Sequence, residues 1–515
     1  MASEPKPDDA GSTTPYSQLS DRHRRYLVFL LGYVTLASSL TATIYFPLIE
    51  ILSRQYTTSI QDINLTITLY VVFQAISPAL FAPLSDTFGR RPVLLATFTI
   101  YLAAGVGLAL NKSSYSTLLV LRGIQSLGGS AVLSLAYGVV ADVITHAERG
   151  RMLGPLLAAT NLGPCVGPLL GGIIAWETGK PDWCFWTLVI FGGVACGLIG
   201  WTLPETNRNI VGNGSVAAQG VWKTWWISLL DMRTKRLRKK EPSQMLELSV
   251  GTSHDTVGQF CDPRAVNGRG KFSIPNPSKP LRIVFYRDTS LTLWTAAVVY
   301  TVWYCIQTSI PVIYGPIYHF NSLQVGLSYL AGGSGVIAGG FVAGKLMDWN
   351  YRVVAVNNGL PIDRKRGCDI YEFPIERARA RGCLVNFGIY MCEVVAFGWV
   401  VHYNIHCSVS LILQFFIGAQ GTIIHQSFNA LLVDIFPESP STAAAAGNIT
   451  RCGLSAAVVA FMEPLVGAIG RGYFFTLMGL LSSLSGMASV LVLTRKGHGW
   501  RKARLASMEQ SGARG

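Results

Sequence analysis

The stretch Phe81–Pro92, FAPLSDTFGRRP, is a short polar turn between two apolar segments, each long enough to cross a lipid bilayer. Its notable residues are an acid, a glycine and two arginines: Asp86, Gly89, Arg90 and Arg91. A weaker copy, GKLMDWNYR, covers Gly344–Arg352 at the end of a later apolar segment and contains Asp348. This recurrence predicts a duplicated membrane protein whose two halves move against each other.

The composition also indicates a membrane protein. Of the 515 residues, 50% are hydrophobic and only 14% are charged, and the mean hydropathy is +0.37. The net charge of +14 comes from basic residues in loops rather than from one continuous basic face, so no nucleic-acid partner is predicted. The ten cysteines lie mostly inside apolar runs and form no CxxC pair, so neither a metal site nor a disulfide framework is predicted.

Apolar runs of the required length predict about twelve spans in two sets of six. The first set is Tyr26–Ile49, Ile63–Leu84, Val93–Leu110, Thr117–Ile144, Met152–Trp176 and Trp183–Leu203. The second set is Ser290–Ile313, Val325–Lys345, Gly382–His402, Val409–Asp434, Thr442–Val466 and Gly472–Leu493. The predicted fold is therefore an all-α membrane protein with twelve transmembrane helices in two pseudo-symmetric six-helix bundles.

The spans divide the chain into five parts. Residues 1–25 form a polar tail expected to be disordered, and residues 26–203 form the first bundle. Residues 204–289 form a central loop with a basic cluster between Arg233 and Lys240, followed by the second bundle at 290–494 and a tail at 495–515. Lys and Arg concentrate on the side of both tails, which predicts that both termini are cytoplasmic. The sequon Asn111-Lys112-Ser113 would then face outward, making Asn111 a possible glycosylation acceptor.

The turn at Asp86 resembles the signature loop of the major facilitator superfamily, GxxxDxxGRR/K, with Ala82 in place of the leading glycine. The acid can accept hydrogen bonds, the glycine permits a tight reversal, and the arginines can sit at cytoplasmic headgroups. Ordinary positive-inside charge would explain Arg90 and Arg91, but not Asp86 and Gly89 at this spacing. The turn is therefore interpreted as a conformational latch.

The fourth predicted span resembles the same family through Arg122, Gly123, Gln125 and Gly128. An arginine inside a span is costly unless it is paired or hydrated, so Arg122 is interpreted as contacting the central cavity or a proton-carrying group. The alternative is that it snorkels to the nearby membrane surface. At the inner end of this span lies Asp142, and Asp434 occupies the equivalent end of the tenth span, as a six-helix repeat predicts.

The fifth predicted span, GPLLAATNLGPCVGPLLGG from Gly154 to Gly172, resembles the antiporter motif of the drug:proton antiporter branch. Its motif residues are Gly163, Pro164, Gly167, Pro168 and Gly171. The three glycines are four residues apart, which places them on one helix face where a neighbouring backbone can approach closely. The prolines each remove a helix hydrogen bond. Plain packing is one interpretation; the hypothesis adds a smooth interface on which the two halves rock.

Three further stretches carry the same resemblance: LPETNRNIVGNGS after the sixth span, FPIERARARG and NALLVDIFPESPSTAAAAGNITRCG. With them, the chain from Tyr26 to about Arg495 resembles fungal twelve-span drug:proton antiporters of the quinidine-resistance and dityrosine exporter group. The resemblance implies the major facilitator fold and export of a bulky organic compound by alternating access. It further implies a proton gradient as driving force, no cofactor, no catalytic residues and a monomer in the plasma membrane. Alternatives are a proton-independent facilitator or uptake transporter, a polytopic transferase and a receptor.

Two further sets of residues are candidates for the mechanism. Asn448 and Arg451 are one helical turn apart and can share a face, and Arg451 is expected to join Asp434 and Asp86 in a cytoplasmic charge network, gating or static. Aromatic and amide side chains from the first, fourth, seventh and tenth spans are expected to line the binding cavity, although many could be packed core. They are Tyr45, Gln125, Tyr137, Trp303, Tyr304, Gln307, Tyr314, Gln414, His425 and Asn429.

The proton carrier is left open among three residues. They are Glu393 in the ninth span, Glu463 in the eleventh and His425 in the tenth. The first span, where many members of this branch have an acid, contains none between Leu27 and Leu48. The absence of an obvious acid in the cavity argues against strictly cationic substrates.

Overall fold

The structure, a computed structural model, describes residues 17–144, 146–216, 218–230, 233, 278–359, 373–436 and 440–512. In these ranges the regular secondary structure is helical. The predicted disordered tail up to residue 16 and the basic cluster beyond Arg233 lie outside the described residues.

Helices of membrane-spanning length follow one another through the first half, separated by short turns. Helix α1 (Asp21–Thr43) continues through a 3₁₀ turn at Phe46–Leu48 into α2 (Ile49–Gln55). The next helices are α3 (Ile60–Phe88), α4 (Arg90–Leu110), α5 (Tyr115–Gly129), α6 (Val132–Val143), α7 (His146–Thr178), α8 (Asp182–Thr202) and the short α9 (Arg208–Val211). A capping box between Ser59 and Asp62 begins α3.

The second half repeats this pattern. Its helices are α10 (Ser278–Val284), α11 (Arg287–Tyr318), α12 (Ser322–Asn357), α13 (Ile375–Ala380), α14 (Cys383–His402), α15 (Cys407–Ile435), α16 (Pro440–Ile469) and α17 (Arg471–Val492). A π-helical turn at Leu493–Gly497 then leads into α18 (His498–Gly512). The segment expected to be only a tail is therefore a helix, and its Arg501 is buried.

Eleven segments in the described part of the chain are long and apolar enough to span a membrane. The remaining predicted span, Met152–Trp176, lies within the 33-residue helix α7. The prediction of an all-α, multi-pass membrane protein is confirmed.

Among the described residues, the most extensive contacts between the two halves are made by two pairs of helices. Helix α7 packs against α12, and α3 packs against α16. Within the halves, α1 packs on α7, α12 on α15 and α14 on α17. The fold is thus two helical bundles joined by matched contacts, as a duplicated chain predicts.

The glycine face of α7 does not lie where the sequence hypothesis placed it. A Cβ added at Gly163, Gly167 or Gly171 would meet α1 of the same bundle, at Ser39, Thr43 and Ile44 respectively. The next position on the helix, Gly172, faces the other bundle, where it approaches Gly326. Consecutive residues are turned about 100° around a helix, so a contact through Gly171 and one through Gly172 point to different neighbours.

We expect Gly167→Val to disrupt folding, because its side chain would occupy the position of Thr43 Oγ1 in α1. The cost should be roughly 1–3 kcal/mol or more. A fluorescence-detected size-exclusion profile after heating should show earlier loss of the monodisperse peak. The matched control is Gly193→Val in α8, where an added Cβ meets nothing within 4 Å. Equal thermal loss for both variants would contradict the close contact.

Candidate functional site

The molecule has two ends, which carry different chemistry. We call the end with the Asp86 turn and α18 the tail side, and the end with Gln61 and Asn111 the far side. Asn111 lies in the short connection from α4 to α5, where its amide donates to the Ser114 carbonyl at 2.8 Å. Its glycosylation stays a prediction.

On the tail side of the first bundle, Arg90 joins the turn to α6. Its Nε lies 2.9 Å from Asp142 Oδ2, and its Nη1 pairs with Asp86 and donates to Ser85 Oγ at 2.7 Å. The side chains of Arg90 and Asp142 are only 12% and 14% exposed, whereas Asp86 is 55% exposed. Asp142 therefore lies beside the turn, and it is the better shielded of the two acids that pair with Arg90.

Glu205, which the sequence interpretation left without a role, organises the same turn. Its carboxylate accepts backbone N–H groups from Arg90 at 2.9 Å, Arg91 at 3.2 Å, Thr206 at 2.9 Å and Asn207 at 2.9 Å. The first two belong to the start of α4, where helix donors lack intrahelical partners. The carboxylate therefore caps α4 and balances its positive end.

The same contact explains the glycine. Gly89 has φ of +104°, and a Cβ there would lie 2.5 Å from Glu205 Oε2. Arg91 is not held at the headgroups as expected. It is 1% exposed and donates to the carbonyls of Gly200 and Val221, each at 2.8 Å, so it joins α4 to the end of α8 and to the chain that follows α8.

The second bundle reproduces the first only in part. Arg379 on α13 pairs with Asp434 on α15 at 2.9 Å, the counterpart of Arg90 with Asp142. The predicted second turn at Gly344–Arg352 is wrong: this segment is continuous helix within α12 and has no glycine at the position corresponding to Gly89. Asp348 therefore lies on a helix rather than at a reversal.

The predicted network of Arg451 with Asp434 and Asp86 is also wrong. Arg451 lies eleven residues into α16, roughly 16 Å along the helix axis from Pro440. The partner of Asp434 is Arg379 instead. Asn448 and Arg451 do share a helix face, and Arg451 Nε donates to Asn448 Oδ1 at 2.9 Å.

A second set of buried ion pairs on the tail side involves α18. Arg501 Nε lies 2.8 Å from Glu376 Oε1, and Arg504 Nη2 lies 2.9 Å from Asp288 Oδ2. These four side chains are at most 7% exposed. They fasten α18 to α13 and to the start of α11.

Arg122 does not snorkel. It is 1% exposed, and its guanidinium lies between the rings of Tyr45 and Tyr70, with its carbon 4.3 and 4.5 Å from their centroids. Its Nη1 donates to Gln125 Oε1 at 2.8 Å. Aromatic faces and an amide hold this cation in the interior of the first bundle.

The predicted cavity residues separate into two groups. The fully buried ones belong to packed core rather than to a cavity surface: Tyr45, Gln125, Tyr304, Gln307, Tyr314 and Gln414. Tyr314, for example, is bonded to Ser410 at 2.7 Å and to Gln414 at 2.6 Å. The others are half-buried: Tyr137, Trp303, His425, Asn429, Asn448 and Arg451.

Tyr300 and five of these half-buried residues form what we call the central cluster: Tyr137, His425, Asn429, Asn448 and Arg451. The Arg451 guanidinium carbon lies 4.8 Å from the centroid of the Tyr300 ring. The centroid of the His425 ring, on α15, lies 5.9 Å from the same Tyr300 centroid. Asn429 lies 3.2 Å from His425 Nδ1. The cluster offers a guanidinium, an imidazole and amides beside aromatic faces.

Contacts between the bundles close the far side. Gln61 Nε2 donates to the Ala460 carbonyl at 2.8 Å, and the Phe46 ring packs on Tyr304 and Tyr329 at 5.7 and 6.1 Å. On the tail side, by contrast, the Arg90–Asp142 and Arg379–Asp434 pairs each stay within one bundle. The ion pairs at the tail side therefore brace each bundle separately, whereas the far-side contacts join the two bundles.

Two pseudo-symmetric bundles of membrane-spanning helices around a polar centre are the architecture of a membrane transporter. The match to a family model then identifies the family: residues 31–460 match the Major Facilitator Superfamily, and the chain belongs to it. The family resemblance predicted from the motifs is confirmed. The chain is a transporter and not an enzyme.

Known relatives extend over nearly the whole chain. It is 33% identical over 510 residues to the MFS-type transporter tstD of Talaromyces stipitatus, covering 99% of this chain and 88% of the relative. It is 31% identical over 512 residues to Citrate exporter 1 of Aspergillus niger, covering 98% and 92%.

Solved structures share the fold at low identity. A D-xylose-proton symporter has a TM-score of 0.57 at 14% identity, covering 89% of this chain and 96% of its own. The human organic anion transporter MFSD10 has a TM-score of 0.51 at 15% identity, covering 92% and 100%.

Proposed function

We propose that this protein exports a bulky organic compound, such as a drug, a toxin or a secondary metabolite, by alternating access in exchange for protons. We place it as a monomer in the plasma membrane with the tail side in the cytoplasm. The observation that carries the transport proposal is the half-buried cluster of polar and aromatic side chains between the two bundles. The relative named as a citrate exporter supports the direction of transport.

In this proposal the tail-side ion pairs act as latches. Closing the tail side would bring the ends of α3 and α6 toward those of α13 and α15. The Arg90 and Arg379 pairs would hold these ends rigid while the bundles rock about the far-side contacts. The small residues between α7 and α12, including Gly172 and Gly326, allow that motion without a large gap.

We propose that the proton carrier is one of His425, Glu393 and Glu463. Within the described residues, no carboxylate pairs with the central cluster, whereas His425 contacts both Tyr300 and Asn429. Imidazole is the side chain whose charge changes most readily near neutral pH. The same lack of a carboxylate favours a second candidate, a proton-independent facilitator.

A liposome experiment separates these candidates. The purified protein is reconstituted, a pH gradient is imposed with the membrane potential clamped, and movement of a panel of organic compounds is followed. Movement that follows the gradient supports exchange for protons. Movement that ignores it leaves the facilitator, and no movement of any compound contradicts transport.

Asp86→Asn is expected to slow transport up to about fivefold while leaving membrane insertion and thermal stability unchanged, because a half-exposed ion pair contributes only about 0–1 kcal/mol. Transport rate and melting temperature are measured on the same preparation. The matched control is Glu177→Gln, an exposed acid on the far side. Unchanged transport in Asp86→Asn would show that Asp142 alone serves Arg90.

A further inference from the structure

We propose that the central cluster is a binding site for an organic anion, with a carboxylate of the ligand held by Arg451. This inference rests on the proposed export function and names its substrate class. The positive charge of Arg451 is the main reason for this assignment.

Arg451 is a cation that no acid balances within the described part of the chain. Its contacts are the Asn448 amide at 2.9 Å, the Tyr300 ring at 4.8 Å and the thiol of Cys452. These groups are neutral. A guanidinium placed in the membrane interior without a carboxylate is unfavourable, so a negatively charged ligand supplies what the protein lacks.

The geometry suits a carboxylate. Asn448 takes the Nε hydrogen, which fixes the rotation of the guanidinium, and the face of Tyr300 supports its plane. The Nη hydrogens are the remaining donors, and a guanidinium binds carboxylates through paired donors of this kind. The guanidinium is thus held in place before the ligand arrives.

The neighbouring side chains suit the rest of an organic ligand. His425 and Asn429 offer polar groups, and the rings of Tyr137 and Tyr300 offer apolar faces. A pocket of aromatic faces with a few fixed polar groups is typical of sites for small organic molecules. The combination favours an anion with an aromatic or aliphatic body over a simple inorganic ion.

The wider charge distribution has the same sign. Arg122 in the first bundle also has no acidic partner among the described residues and adds positive potential from behind Tyr45 and Tyr70. The acids at the tail-side ends of the same bundles, Asp142 and Asp434, are already paired with arginines. An organic cation would meet repulsion at this centre, while an anion would meet attraction.

An anionic ligand has a consequence for coupling. The groups that face His425 are Tyr300 on α11, Asn429 on its own helix and Arg451 on α16. An anion at Arg451 would favour a proton on His425 rather than displace it, which does not produce exchange. A membrane potential negative on the tail side would instead expel the anion, with a driving factor of about fifty-fold per charge per 100 mV. Exchange of this anion for protons therefore needs a proton carrier away from Arg451, which leaves Glu393 and Glu463.

Binding to the full chain in lipid nanodiscs tests the site without requiring transport. The probes are citrate, benzoate and naphthalene-2-carboxylate, each compared with its neutral amide, and the signal is the quenching of tryptophan fluorescence. For at least one pair, the carboxylate should bind about tenfold or more tightly than its amide. Arg451→Gln should abolish this preference, and Arg451→Lys should keep part of it.

A panel in which no carboxylate exceeds its amide would overturn the proposal, as would a preference that survives in Arg451→Gln. The charge comparison in the unmodified protein needs no variant, so misfolding of Arg451→Gln does not remove the test. Liposomes loaded with the preferred carboxylate then separate the two proposals. Binding with preference but no export contradicts the transport function alone, and export of the amide at an equal rate contradicts the anion site alone.

Discussion

Replacing Glu205 by alanine is expected to destabilise the tail side of the first bundle more than any other single change there. The carboxylate accepts four backbone N–H groups, those of Arg90, Arg91, Thr206 and Asn207. The side chain is only 6% exposed, so water cannot easily replace it. Each buried donor left without a partner costs about 1–3 kcal/mol. We expect a total loss of roughly 3–6 kcal/mol after partial rehydration.

The measurement is thermal unfolding of the purified protein in detergent, followed by transport assays on any protein that remains folded. Glu205→Gln is the informative second variant, because it keeps one carbonyl oxygen and should lose less stability. Glu177→Ala on the far side, an exposed acid, serves as the control. A melting temperature for Glu205→Ala equal to that of the control would show that the four contacts do not stabilise the turn.

The fold was predictable because membrane spans obey a simple physical rule. Any helix that crosses a bilayer needs about 20 apolar residues, and nearly every predicted span lies inside a described helix of that kind. What hydropathy could not indicate is helix that continues into the polar phase. The residues of α18 are too polar to resemble a span, and only their buried ion pairs with Glu376 and Asp288 show that they pack.

The site was predictable where residues are close in sequence or follow a family motif. Asn448 and Arg451 share one helical turn, and Asp86, Arg90 and Asp142 belong to two motifs of one bundle. Long-range partners were not predictable. Several arginines could equally have paired with Asp434, and the choice of Arg379 depends on how α13 packs against α15. The role of Glu205 likewise depends on the path of the chain after α8.

Burial distinguishes core residues from half-buried ones where the residue type alone does not. Tyr45 and Tyr137 are equally suited to line a cavity, but Tyr45 is bonded to Thr66 in the closed far side, whereas Tyr137 is half-buried. Which amide or phenol contacts solvent depends on which side of the transporter is open. One sequence serves every conformation of the cycle, so it cannot assign such residues to a surface by itself.

Glu376→Leu is expected to be strongly destabilising, because it leaves Arg501 buried without its acid. Arg501 is 2% exposed and Glu376 is 1% exposed, and their closest atoms are 2.8 Å apart. Removing one partner of a buried ion pair costs about 3–5 kcal/mol. The double variant Glu376→Leu, Arg501→Met removes both charges at similar volume and is expected to recover most of that loss. Recovery should be incomplete by about 1 kcal/mol, since Arg501 also donates to the Phe373 carbonyl at 2.7 Å.

Unfolding of both single variants and of the double variant forms a complete cycle, and simple addition of the two single losses would contradict a coupled pair. Transport by the double variant then separates packing from charge. Glu376 lies one turn before Arg379 on α13, so an intact α13 should keep the Arg379–Asp434 pair in position. If the double variant folds and transports, the buried charges at α18 serve only to keep α13 and its Arg379–Asp434 pair in position. If it folds but does not transport, the charges themselves take part in closing the tail side.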